Sequence, residues 1–256
     1  MKKNLLYSIS ILLCCLLITN TPAAQAAMIK TSATVPDDAF YTALSQLLQK
    51  HVVEGQVNYR SLQKDKGELQ RLVQQIARYN VKGASAAERK AFYMNAYNVL
   101  VLQQVLSHYP LKSVMDVPGF FDKQQFNVAG ERLTLNELEK QKLLAPYRDA
   151  RVHFALVCAA RSCPPLLNKA YTPAQVEAQL EDQAKRTLQS STFIKVQDSS
   201  KKVLVSEIFK WYEQDFMQEA PSIAAYINRY RQNNLPPGYR LAYYTYNWDL
   251  NDSSDR

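Results

Sequence analysis

Residues 86–108 constrain the fold more than any other part of the chain. Ser85 precedes them with Glu88 three residues on, the pattern in which side chains and backbone cap a helix start reciprocally. Pro110 closes the run, and within it Val99, Leu100, Val101 and Leu102 are consecutive. A surface helix keeps a polar stripe at the helical period; this one is apolar almost all round. Such a helix belongs at the centre of a fold, and the rest of the chain has to cover it.

The covering elements can be read on either side. Phe40, Leu44, Leu47 and Leu48 recur at helical spacing from Asp37 until Gly55 breaks the pattern, and Leu69, Leu72, Val73 and Ile76 mark a second helix over residues 62–77. Residues 125–128 and 132–134 read as a short hairpin around Ala129-Gly130-Glu131, with a helix over 136–144 after it. Residues 151–159 are short and apolar on both faces, the pattern of a strand inside a sheet. Thr172-Pro173-Ala174-Gln175 reads as a helix start, the helix running to about Leu188. A second hairpin over 193–196 and 203–205, helices over 206–218 and 222–231, and a late strand over 241–246 complete the chain. The expected class is α+β: several helices, including one buried central helix, packed on a small, mostly antiparallel sheet.

The N-terminus reads as an export signal. Lys2 and Lys3 precede an apolar run from Leu5 to Ile18, and Ala24-Gln25-Ala26 places small residues where a signal peptidase reads. The expectation is a cleavable signal over 1–26, a flexible leader over 27–35 and a single globular domain over 36–256, periplasmic or secreted. The apolar run falls short of the ~20 residues that span a bilayer, and no later segment attempts it, so no transmembrane span is expected. Leu13 stands before Cys14, where a lipoprotein signal wants a small residue.

Cleavage leaves Cys158 and Cys163 as the mature cysteines and takes the net charge from +8 to +6, since two of 31 basic residues leave against 23 acidic ones. The basic residues are scattered, without the basic stripe interleaved with aromatics that nucleic-acid grooves use, so no nucleic-acid partner is expected. Envelope peptide or glycan polymers fit an exported chain better. No glycine-rich phosphate loop is present, and no cofactor is signalled.

Three features stand apart from core building. Asn95 and Asn98 lie three residues apart on the buried helix, so both amides point to one side; they either tie down backbone or line a pocket. The stretch from His153 to Pro165 holds both mature cysteines and one of three histidines. On a strand, His153 and Cys158 would face opposite sides. Cys158 and Cys163 can form a disulfide closing a small loop, stabilising by about 2–3 kcal/mol. Alternatively one is a thiolate nucleophile activated by His153, or the three residues contribute to a zinc site. The third feature is aromatic: Phe209, Trp211, Tyr212 and Phe216, then Tyr246 and Trp248, which suit either core or the wall of a cleft.

Taken together, Phe92-Tyr93-Met94-Asn95-Ala96-Tyr97-Asn98 with its apolar continuation and Val152-His153-Phe154-Ala155-Leu156-Val157-Cys158 followed by Ser162-Cys163-Pro164-Pro165 resemble the blocks of the domain-of-unknown-function 547 family. So do residues 208–216, residues 246–251, and residues 135–139, which end on Glu139. Asn247 departs from the Asp common in the family. The resemblance picks out Asn95, Asn98, Glu139, His153, Cys158 and Cys163 and implies no reaction. A buried helix followed by a histidine-bearing segment is also similar to the layout of papain-like and transglutaminase-like thiol enzymes, although Asn95 stands where their cysteine opens the helix.

Two functional expectations follow. One is a thiol-dependent hydrolase or acyltransferase on peptide or amide bonds, with Cys163 or Cys158 as nucleophile, His153 as base, Glu139 or Asn95 orienting it and Asn98 as an oxyanion donor. The other is a non-catalytic periplasmic binding or scaffold module with a structural disulfide.

Overall fold

The computed structural model describes residues 38–254; the expected signal and leader lie outside the described residues. The chain forms α1 (Asp38–His51), a two-strand turn of β1 (Val52–Val53) and β2 (Gln56–Val57), α2 (Tyr59–Lys64), α3 (Lys66–Arg78) and the long α4 (Ala86–His108). Then come a hairpin of β3 (Phe126–Val128) and β4 (Glu131–Leu133) and a helical stretch from Leu135 to Tyr147. After an irregular segment the chain continues through α5 (Val176–Gln189), β5 (Ile194–Gln197), β6 (Lys202–Ser206), α6 (Ile208–Trp211), α7 (Glu213–Glu219), α8 (Ile223–Asn228) and β7 (Arg240–Tyr244). The class is α+β, as its patterning indicates. The strands form three small sheets, antiparallel except where β7 runs parallel to β6 with Tyr243 beside Val205.

Helix α4 is the buried centre. Ser85 Oγ accepts from the Glu88 N–H at 3.2 Å and Glu88 returns the bond to the Ser85 N–H, so the reciprocal cap is present. Every residue from Lys90 to Leu102 is buried. Lys90 is tolerated there because its ammonium meets Asp149 at 2.5 Å and Glu177 at 2.9 Å. Around α4 packs a first core with Leu44, Leu72, Leu138 and Tyr171; a second, with Phe154, Phe209, Phe216 and Tyr226, fills the space among α5, α7, α8 and the three-stranded sheet. Cys163 and Trp248 pack against both.

The strand expected over 151–159 does not form. Ala150–Phe154 is a 3-10 turn whose start is capped by Asp149, the Oδ1 accepting from the Arg151 N–H at 3.1 Å, and irregular chain follows. The segment is apolar on all sides because it runs between the two cores, not because it lies inside a sheet. Its backbone groups still need partners, and buried amide side chains stand in for a strand ladder. Asn98 receives the Val157 N–H at 3.0 Å and donates to the Ala155 carbonyl at 3.0 Å; Gln183 donates to the Phe154 carbonyl at 3.0 Å. Further on, the Thr172–Gln175 cap is displaced: the helix starts at Val176, and the Thr172 N–H bonds Gln179 instead. The helix expected over 62–77 starts earlier, at Tyr59, and is broken at Asp65 into α2 and α3, and that expected over 206–218 starts at Ile208 and splits at Tyr212.

Candidate functional site

Where the two cores meet, a cleft of about 410 Å³ opens. Four of the six residues singled out in the sequence line it: Glu139, His153, Cys158 and Cys163. Asn95 and Asn98 do not. Asn95 donates to the Ala91 and Tyr171 carbonyls at 2.8 and 2.7 Å and accepts from the Tyr171 N–H at 3.0 Å. Both asparagines therefore have their amides engaged with backbone, and Asn98 holds the chain on either side of Leu156, which lines the cleft.

His153 and the cysteines reach the same cleft because the chain between them is a turn followed by irregular backbone, which frees it from strand alternation. Cys158 and Cys163 are joined in a disulfide with their Cα atoms 6.3 Å apart. The sulfurs are well furnished with donors: the Cys158 N–H points at Cys163 Sγ at 2.9 Å, and the Tyr246 hydroxyl lies 3.1 Å from Cys158 Sγ and 3.2 Å from Cys163 Sγ. The loop they close is anchored on both sides, with the Arg161 N–H on the Asp249 carbonyl at 2.8 Å and the Leu166 N–H on the Gly55 carbonyl at 3.2 Å. Among the described residues no three His, Cys, Asp or Glu side chains converge as a metal site.

His153 is buried and held by two neighbours: Asp215, which the sequence does not single out, and Tyr212, which it leaves as either core or cleft wall. Its Nε2 lies 2.8 Å from Asp215 Oδ2 on α7, and its ring lies against Tyr212 with centroids 3.9 Å apart. Asp215 sits 62 residues away inside an aromatic block that reads as core, so nothing local marks it; its position one turn from Tyr212, in a block the family resemblance had already picked out, was the available signal. The block itself divides. Phe209 and Phe216 are fully buried in the second core, whereas Trp211 and Tyr212 line the cleft with Tyr246 and Trp248. Trp211 stands 4.9 Å from Tyr246 and 5.8 Å from Trp248, centroid to centroid, the two indoles nearly parallel at 24°. Phe121 lies 6.4 Å from Trp248, centroid to centroid, in a tilted arrangement.

Glu139 comes from the segment Leu138–Leu144, which winds as a π-helix instead of the α-helix expected over 136–144. Leu138 and Leu143, five residues apart, are both buried, which the wider turn allows; π-turns are frequent at functional sites. Glu139 is 7% exposed. Burial pushes its carboxyl up, with His153 and then the Tyr212 hydroxyl beside it pulling the other way. Burial likewise raises the hydroxyls of Tyr97, Tyr212 and Tyr246, so these stand as neutral donors. Asn247, where the family commonly has Asp, is exposed outside the cleft, and its side-chain oxygen accepts from the Asp249 N–H at 2.7 Å.

Among the described residues no helix is long and apolar enough to cross a membrane. Residues 81–188 match the family described as protein of unknown function, DUF547. That span holds all six residues singled out above, so the resemblance read from the motifs holds over the part of the chain that carries them; the blocks at 208–216 and 246–251 lie beyond it. No curated protein and no solved structure matches the chain.

Proposed function

We propose that the mature chain is an exported, non-catalytic binding module of the cell envelope, and that the cleft holds a segment of envelope peptide or glycan. The leader-like residues before Ala26 support export. The observation that carries the binding reading is that both mature thiols are consumed in a disulfide that lines the cleft, with Tyr246 against its sulfurs and Trp211 and Trp248 beside that tyrosine in the same lining. The test is the mass of the mature protein, purified from the periplasm and alkylated with and without prior reduction. Labelling only after reduction is expected; immediate labelling of either cysteine would overturn the structural disulfide. Cys163→Ser should then lower the melting temperature by about 5–10 °C, from the ~2–3 kcal/mol such a loop closure contributes.

One observation favours a second reading, a thiol-dependent hydrolase or acyltransferase. His153, braced by Asp215, lines the same cleft as both cysteines, an arrangement suited to activating a nucleophile once the disulfide is reduced. Under it Asp215 takes the orienting role assigned from the sequence to Glu139 or Asn95. Reduced protein would turn over an amide or peptide substrate, and Cys163→Ala and His153→Ala would each abolish that turnover. Full turnover in either variant excludes this reading.

A further inference from the structure

The charge of the cleft opposes that of the chain. Basic residues outnumber acidic ones by 31 to 23, yet among the described residues the cleft lining includes Asp122, Glu139 and His153 and no lysine or arginine. Elsewhere in the fold a buried charge has its counter-ion: Lys90 has Asp149 and Glu177, and Asp149 has Arg151. Glu139 is as deeply buried as these, and among the described residues no lysine or arginine forms an ion pair with it. A buried carboxylate without a paired cation is destabilising, and His153, the Tyr212 hydroxyl and the more distant charge of Lys140 offset only part of that burden, with Asp215 acting against them. Its position makes sense if the cation arrives with a ligand.

The surroundings say which cation. Trp211, Tyr212 and Trp248 present aromatic rings to the same space, and such faces attract a positive charge. A carboxylate has about four acceptor positions and a tyrosine hydroxyl fills one, so a cation that donates N–H bonds suits Glu139 beside Tyr212 better than a quaternary ammonium. Because Glu139 is 7% exposed, the charge has to reach it on a slender stem, which an amine fixed directly to a sugar ring does not provide. We propose that the cleft binds a primary alkylammonium group, as the side chain of a diamino acid in a peptide carries it, with Glu139 as its counter-ion and the aromatic rings as its walls. This rests on the reading of the cleft as a binding site and narrows its ligand to amine-bearing peptide.

Tryptophan fluorescence titrations of the disulfide-intact protein test it, since Trp211 and Trp248 both border the site. The probes are a short end-blocked peptide with one lysine, the same peptide with the lysine Nε-acetylated, and a glucosamine dimer. The lysine peptide should bind, acetylation should weaken it at least tenfold, and Glu139→Gln should weaken the lysine peptide to the level of the acetylated one. Glu68→Gln, on the exposed face of α3, should leave binding unchanged. A melting curve for Glu139→Gln at or above that of the wild type separates lost recognition from lost folding. Equal binding of the two peptides, or tighter binding of the glucosamine dimer, overturns the alkylammonium assignment and leaves the binding module standing. No response to any probe overturns both.

Discussion

At the scale of single residues, the polar groups singled out in the sequence divide into those engaged with backbone and those facing the cleft. Asn98 belongs to the first kind. Removing its amide leaves the Ala155 carbonyl and the Val157 N–H without partners in a dry interior, at about 1–3 kcal/mol for each buried group. Asn98→Ala should therefore lower unfolding stability by at least ~2 kcal/mol in denaturant titrations; a loss below ~0.5 kcal/mol would mean the bonds contribute little. Glu139 belongs to the second kind and should behave oppositely. Its folded carboxyl titrates above the unfolded value, chiefly because of burial, so its contribution to stability is fully present below the unfolded pKa and is lost as pH rises through the folded one. Glu139→Gln removes that loss. The variant should melt above the wild type at pH 7 and converge with it near pH 4, and a variant less stable at neutral pH would contradict the account.

At the scale of elements, the turn between β1 and β2 supports the disulfide loop from outside. Gly55 has φ +80°, and a Cβ there would fall 2.2 Å from Pro165 Cβ and 2.5 Å from Pro165 Cα, two residues past Cys163. Gly83 has nearly the same backbone, φ +78°, with open space around it. Gly83→Ala should lose only the ~1–2 kcal/mol of left-handed strain, while Gly55→Ala should lose clearly more and weaken the cleft's ligand binding. Equal losses would show that the loop yields freely. Neither this contact nor the π-turn that presents Glu139 is legible in the sequence, because both depend on segments more than local in the chain. What was legible is whatever rests on local chemistry: the Ser85–Glu88 cap, the all-round apolar α4 and the two hairpins. The segment at 150–160 shows where that logic stops. An apolar stretch reports burial, and burial between two cores leaves the same trace as burial inside a sheet; only the amides of Asn98 and Gln183, 57 residues before and 29 after the carbonyls they hold, distinguish them. The site followed the same division, its cysteines, histidine and Glu139 marked by motif and its Asp215 hidden by distance along the chain.

At the scale of the whole molecule, one ion network links the central helix to both cores. Lys90 of α4, Asp149 and Arg151 of the connecting segment and Glu177 of α5 meet with Lys90–Asp149 at 2.5 Å and Arg151–Asp149 at 2.8 Å. Asp149 is the shared partner, and its side chain is 10% exposed. Burial pushes its carboxyl up, but the bonds from Arg151 and Lys90 outweigh that and hold it at about 2, against 3.8 ordinarily. A folded pKa below the unfolded one adds stability that is complete above the unfolded value and is lost as pH falls through the folded value. The window is therefore about pH 4 down to pH 2, and the shift corresponds to about 2 kcal/mol. Protonating Asp149 also strands Lys90, which is buried in α4 with Glu177 as its remaining acidic partner, so acid should loosen the connection between the cores before it affects either one alone. Asp149→Asn should lower stability at pH 7 and flatten the acid limb between pH 4 and 2 relative to the wild type, as followed by Trp211 and Trp248 fluorescence at the junction. If wild type and variant lose stability in parallel over that range, the acid sensitivity lies with other carboxylates and not with this network.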